Sequence, residues 1–156
     1  MKKHERVAAF LGTLESAGEK EFHPCYAGYF ECFNAGDYYE AHDVLEQLWL
    51  GTIGEDRAFY QGLIQIAGAF VHLKKQHARP WHPTDGRRLA PAARLFLLGE
   101  RNIAPFGPHH FGTDVERMLE FCRAWRERLE ASDFSVNPWT PEAAPRLDLP
   151  VWNSKR

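Results

Sequence analysis

The chain has 156 residues, the size of one domain able to bury a single core without disulfide or metal staples. It is 44% apolar and 13% aromatic with a formal charge of −2, which argues against disorder and lacks the basic footprint of a nucleic-acid binder. Arg, His, Gly or Gln interrupts every apolar run before it reaches membrane-spanning length, so no membrane partner is expected.

Val7, Phe10, Leu11 and Leu14 predict a first amphipathic helix that ends near Gly18. The basic start and amphipathic follow-on are too polar for a secretory signal, which points to the cytoplasm. A second helix starts at Pro24, a favoured first helical position, with Tyr26, Tyr29, Phe30 and Phe33 on one face. Cys25 and Cys32 fall on it about 10 Å apart, too far for a disulfide. No spacing of these or of Cys122 is a zinc pattern, so all three read as core residues. Gly36 is the natural left-handed stop, and Asp37 with Glu40 predicts a capping box for a third helix ending near Leu50.

The short Gly51–Gly54 loop predicts that the third and fourth helices pack as antiparallel neighbours. The fourth runs from Glu55-Asp56 to about Lys75, acidic at its start and basic at its end. A loop over 76–86 follows, then a fifth helix with Pro91 either in its first turn or kinking it and Gly99 at its end. After a second loop, Thr113 and Glu116 predict a capping box for a sixth helix with Val115, Met118, Leu119, Cys122, Trp125 and Leu129 inward. Beyond Ser132 periodicity ceases and Pro and Trp residues form a tail. Pro80-Trp81-His82-Pro83 and Pro138-Trp139-Thr140-Pro141 echo each other as stiff segments that would each pin an indole on the core. The alternative is a contact with a partner chain. No segment alternates at period two. The expectation is an all-α domain of about six helices over 1–131, with the tail 132–156 packed on it.

Two lines of polar residues ask for more than packing. On a wheel of about 100° per residue, the third helix puts His42 and Glu46 inside its apolar arc beside Trp49, with Glu40, Asp43 and Gln47 on the wet side. The fourth helix is apolar round most of its circumference, except for a stripe of Arg57, Gln61, Gln65, Gly68 and His72. A stripe that merely faced water would carry Lys and Glu. Leaving one such group buried and unpaired costs about 1–3 kcal/mol, so they must pair with each other, with water or with a ligand. The expectation is that His42, Glu46 and Trp49 face Arg57, Gln61, Gln65 and His72 across the two helices.

Three readings of that cluster stay open. It is a satisfied network that fixes helix register, a pocket for a small polar or anionic ligand, or a two-His, one-carboxylate metal set of His42, Glu46 and His72. No His-Glu-x-x-His motif supports the last, and no resident cofactor is expected. His42 and Glu46 are the candidate catalytic pair for a hydrolytic step. The loop histidines His77, His82, His109 and His110 have no ligand spacing. A non-enzymatic interaction module, with aromatic surfaces that could form a homodimer, is the competing class.

Phe33-Asn34-Ala35-Gly36-Asp37-Tyr38-Tyr39-Glu40-Ala41-His42-Asp43, with Glu46 and Trp49, followed by Gly62-Leu63-Ile64-Gln65 and then His72, resembles the bacterial and archaeal family known as domain of unknown function 309. The resemblance covers about residues 26–99 and maps onto Asn34, Gly36, His42, Glu46, Trp49, Gly62, Gln65 and His72. It implies a compact all-α fold without an established activity. The segment Gly86-Arg87-Arg88-Leu89-Ala90-Pro91-Ala92-Ala93 departs from the family pattern, and the tail lies outside it.

Overall fold

The computed structural model describes residues 22–152, and the helix expected over 7–14 lies outside them. Among the described residues the chain forms α1 (Pro24–Asn34), α2 (Tyr38–Leu50), α3 (Asp56–Ala78), α4 (Leu89–Ile103) and α5 (Val115–Ala131). A 3-10 turn (Ala104–Phe106) and an antiparallel pair, β1 (His109–His110) with β2 (Thr113–Asp114), join α4 to α5. The expected helical class holds, with five helices to compare rather than six. The hairpin was not expected, because two-residue strands are too short to alternate visibly.

Helix boundaries follow local chemistry. His23 caps α1, its Nδ1 accepting from the Cys25 N–H at 3.1 Å, and Pro24 opens the first turn. Gly36 turns the chain at φ +80, where a side chain would be strained, and its carbonyl accepts from Lys74 Nζ at 2.8 Å. Asp37 stands at the N-cap of α2 but makes no side-chain cap bond, so the expected box with Glu40 is not formed. At α5 the cap is Asp114, which accepts from the Arg117 N–H, whereas Thr113 is buried in β2 and bonds to the Tyr26 hydroxyl. The expected Thr113–Glu116 box is therefore one residue out of register.

α3 is the axis of the molecule. Phe59, Leu63, Ile66, Ala67, Phe70 and Leu73 are fully buried on it. α1 feeds an aromatic ladder against that face, with Tyr26 near Phe59 and Phe33 edge-on to Phe70. Tyr29 donates to the Leu63 carbonyl at 2.6 Å, which satisfies a fully buried hydroxyl. α2 runs back along α3, since Lys74 reaches Gly36 at one end and Arg57 sits over Trp49 at the other.

α4 crosses α3 where two glycines meet. A Cβ on Gly62 would lie 2.6 Å from Ile103 Cγ2 and 3.1 Å from the Gly99 carbonyl oxygen, so the backbones touch here. Gly99, expected to end the helix, is thus an interior contact residue, and α4 continues to Ile103. Glu100, 8% exposed, receives two bonds from Arg126 of α5 at 2.8 and 3.1 Å. These bonds hold the guanidinium firmly in its charged form.

The two Pro-Trp segments part ways. Trp139 is 4% exposed and donates to the Tyr38 hydroxyl at 3.0 Å, as expected of an indole pinned on the core. Trp81 is 76% exposed, so the parallel expectation for it is corrected. The cysteines are all free and buried, as read from the sequence. Burial pushes the Cys25 thiol up to about 11 and Cys32 to about 12, and Cys122 rises further.

Candidate functional site

The expected residues come from α2 and α3, and the structure adds partners from α4 and the loop before it. His42 is partly buried, with Nδ1 3.3 Å from Asp43 Oδ1 and its ring stacked on Tyr39 at 6.5 Å. Asp43 itself is 2% exposed, so its expected place on the wet side is wrong. A helical wheel gives an angle but not what covers it. Glu46 is half-buried one turn further along α2. At the far end the Arg57 guanidinium lies 3.9 Å from the Trp49 ring centre, a close cation–π contact. The Trp49 indole N–H is buried without an acceptor among the described residues.

Gln65 and His72 of the α3 line find partners on α4 and in the turn that leads into it. Asn102 Nδ2 donates to Gln65 Oε1 at 2.7 Å, and Gly68 lies under Leu95. Gln61 is half-buried on the same stripe. His72 Nδ1 is 2.9 Å from Arg88 Nη1. A guanidinium has donors only, so Nδ1 must accept and the imidazole is neutral, with its proton on Nε2. Burial lowers the His72 pKa, and the charges of Arg88 and Lys75 lower it further.

Arg88 is itself locked. Its Nε and Nη2 donate to Asp85 Oδ1 at 3.1 and 2.6 Å, and its backbone N–H donates to Gln76 Oε1 at 2.6 Å. The Arg88 hydrogen bonds hold the Asp85 carboxyl below its ordinary range. Arg79 adds a bond to Asp85 Oδ2 at 3.2 Å. Lys75 completes the group, its ammonium 5.8 Å from the Tyr39 ring that stacks on His42. One end of the two polar lines is therefore joined through His42, Tyr39, Lys75, His72 and Arg88.

Arg88, Asp85, Asn102 and Lys75 were not legible as site residues. The one available signal was Asp85 and Arg88 three apart at the mouth of a helix, a spacing that lets the pair lock. Of the four histidines expected in loops, three have local partners, and His77 falls within the last turn of α3. His82 Nδ1 accepts from the Thr84 and Asp85 N–H groups, His77 packs edge-on against Trp139, and His110 bonds Asp56 Oδ1 at 2.9 Å. Among the described residues no three His, Cys, Asp or Glu side chains come together as metal donors. No described helix is long and apolar enough to cross a membrane.

A cavity of about 410 Å³ opens elsewhere, between the hairpin, α5 and the tail, and none of the expected site residues lines it. Its charges are of both signs, and Arg117 and Asp148 pair with each other at 3.2 Å. It selects no ligand charge.

Fold and face together define a small helical protein built on a central helix with a half-buried polar stripe. Residues 26–82 match the family described as "Domain of unknown function (DUF309)", the family the motif resembles. That span holds most of α1, all of α2 and α3 and every expected site residue; Arg88, Asn102 and the tail lie beyond it. The chain is also similar to a protein of Bacillus subtilis (strain 168) described as "Uncharacterized protein YpuF", at 29% identity over 109 residues. That match takes in 67% of this chain and 56% of the relative, so this chain spans little more than half of that protein's length. No solved structure matches the chain.

Proposed function

We propose that the chain binds a small anionic ligand, a carboxylate or phosphate ester, at the end of the polar face formed by His72, Lys75 and Arg88. One observation carries this reading. Arg88 donates to His72 Nδ1 and so leaves a neutral imidazole with a free-proton edge between two fixed cations. Burial is the first cause of the lowered His72 pKa, and an anion would offset the part that the charges of Arg88 and Lys75 add to it. Gln61 and Gln65 supply neutral polar contacts further along α3, and Arg57 on Trp49 bounds the face at its other end. A hydrolytic step at this face would fall to Glu46 as general base with His42 as its orienter.

The test is an NMR titration of the His72 ring in the full chain with inorganic phosphate and with acetate. The expected result is saturable binding that raises the His72 pKa and is lost in Arg88→Gln. A His72 titration curve that neither anion moves overturns the reading.

The competing reading, a non-enzymatic module that pairs with a second copy, rests on Tyr39, Leu50 and Ile53, which are 48%, 60% and 92% exposed along α2 and the following turn. A dimer mass in light scattering that falls to monomer in Ile53→Asp, with no anion effect on His72, favours it.

A further inference from the structure

The tail is held less like a chain end than like a bound peptide. Leu147 is 6% exposed, and both of its backbone groups bond to one side chain: its N–H donates to Asn34 Oδ1 at 2.7 Å, and its carbonyl accepts from Asn34 Nδ2 at 2.9 Å. A carboxamide that meets both groups of one residue does what a neighbouring strand does. It reads extended backbone whatever the side chain.

Eight residues earlier, Trp139 fills a slot against Tyr38 and His77 and donates to the Tyr38 hydroxyl. Asn137 fixes the approach, accepting from the Trp139 N–H and donating to the Leu73 carbonyl at 2.8 Å. Backbone readout by a side chain plus two apolar anchors is the recognition chemistry of an extended peptide.

The connection to α5 is weakly held. Among the described residues, 132–136 bond only within their own turn and back to Leu129 and Glu130, and Val136 is 61% exposed. Asp133 and Phe134 both sit in the left-handed region, at φ 52 and 59, which costs non-glycine residues energy that an opened connection would release. The anchoring contacts would be the same whether the tail came from its own chain or from another, so the connection decides between the two.

We propose that residues 137–147 are a peptide ligand bound in cis, and that the surface of Asn34, Tyr38 and the Leu73 carbonyl takes the same segment from a second copy of the chain. This does not depend on the anion reading, since the two surfaces share no residue.

The test uses a fluorescein-labelled peptide of residues 136–151 added to the full chain carrying Trp139→Ala, which weakens the cis anchor. The expected result is a saturable rise in anisotropy in the micromolar range. It becomes about tenfold weaker or is lost when the peptide carries its own Trp139→Ala or the chain also carries Asn34→Ala. A Trp139→Ala chain with native circular dichroism that takes up no peptide at millimolar concentration overturns the proposal. Native-state hydrogen exchange of the unaltered chain gives a second measurement should that variant not fold. The Trp139 and Leu147 amides are expected to exchange by an opening that leaves the Leu63 and Phe70 amides protected. Exchange of the tail only together with α3 overturns the proposal as well.

Discussion

His23 and His72 share one condition from different causes. His23 Nδ1 accepts the Cys25 N–H at the start of α1, and His72 Nδ1 accepts from Arg88. Both need an unprotonated ring nitrogen, and both have pKa values lowered from 6.5, with burial the first cause in each. A folded pKa below the unfolded one means that the unfolded chain binds more protons as pH falls. Stability from these residues is therefore complete above about 6.5. It declines as pH drops through that value, and the decline ends once the folded pKa values are passed. Urea unfolding between pH 7.5 and 5 should show this loss. His23→Ser, which keeps a cap acceptor that does not titrate, should flatten part of the profile. A profile unchanged in both His23→Ser and His72→Gln would mean that other groups govern it. At this scale the sequence singled out His42 and Glu46 inside the apolar arc of α2 and Gln65 on the polar stripe of α3, and all three are half-buried. Asp43 was misplaced because covering depends on the rest of the fold, not on helical angle.

Helix–helix crossing turns on glycine in this molecule, and the glycines are not equivalent. An added methyl at Gly62 meets Ile103 Cγ2 at 2.6 Å and a backbone oxygen of α4 at 3.1 Å, and backbone cannot step aside. Ala is worth about 1 kcal/mol over Gly in a helix interior, but overpacking at such a contact costs about 1–3 kcal/mol. Gly62→Ala should lower stability by up to about 2 kcal/mol on that balance. At Gly68 the nearest atom is the end of a leucine side chain at 3.2 Å, and Gly68→Ala should be neutral or mildly stabilising. Urea midpoints of the two variants, read side by side, check the contrast, and equal effects would count against it. Gly99 illustrates what the sequence conceals. A glycine after an apolar run is read as a stop, yet here a second glycine across the interface makes it a contact point within α4. Pairing of that kind depends on register between helices, which no single helix encodes.

For the molecule as a whole, periodicity revealed the helices because each described one buries a stripe against α3 or its neighbours. The tail was harder to read. The same Pro-Trp-x-Pro pattern gives a buried indole at Trp139 and an exposed one at Trp81. Proline sets local stiffness, whereas the slot for Trp139 is built by Tyr38 and His77, far away in sequence. The described residues also carry three thiols at different depths. Cys25, 2% exposed, sits with Val44 and Leu48 in a small separate cluster, while Cys32 and Cys122, 8% and 0% exposed, belong to the main core. Their raised pKa values leave almost no thiolate at pH 8, so an alkylating reagent can react only with a chain that has opened. Iodoacetamide labelling followed by peptide mass spectrometry should modify Cys25 ahead of Cys122; simultaneous modification would mean that the separate Cys25 cluster opens only with global unfolding. The thiols thus serve as three timers, already in place, that report the order in which the layers of this protein come apart.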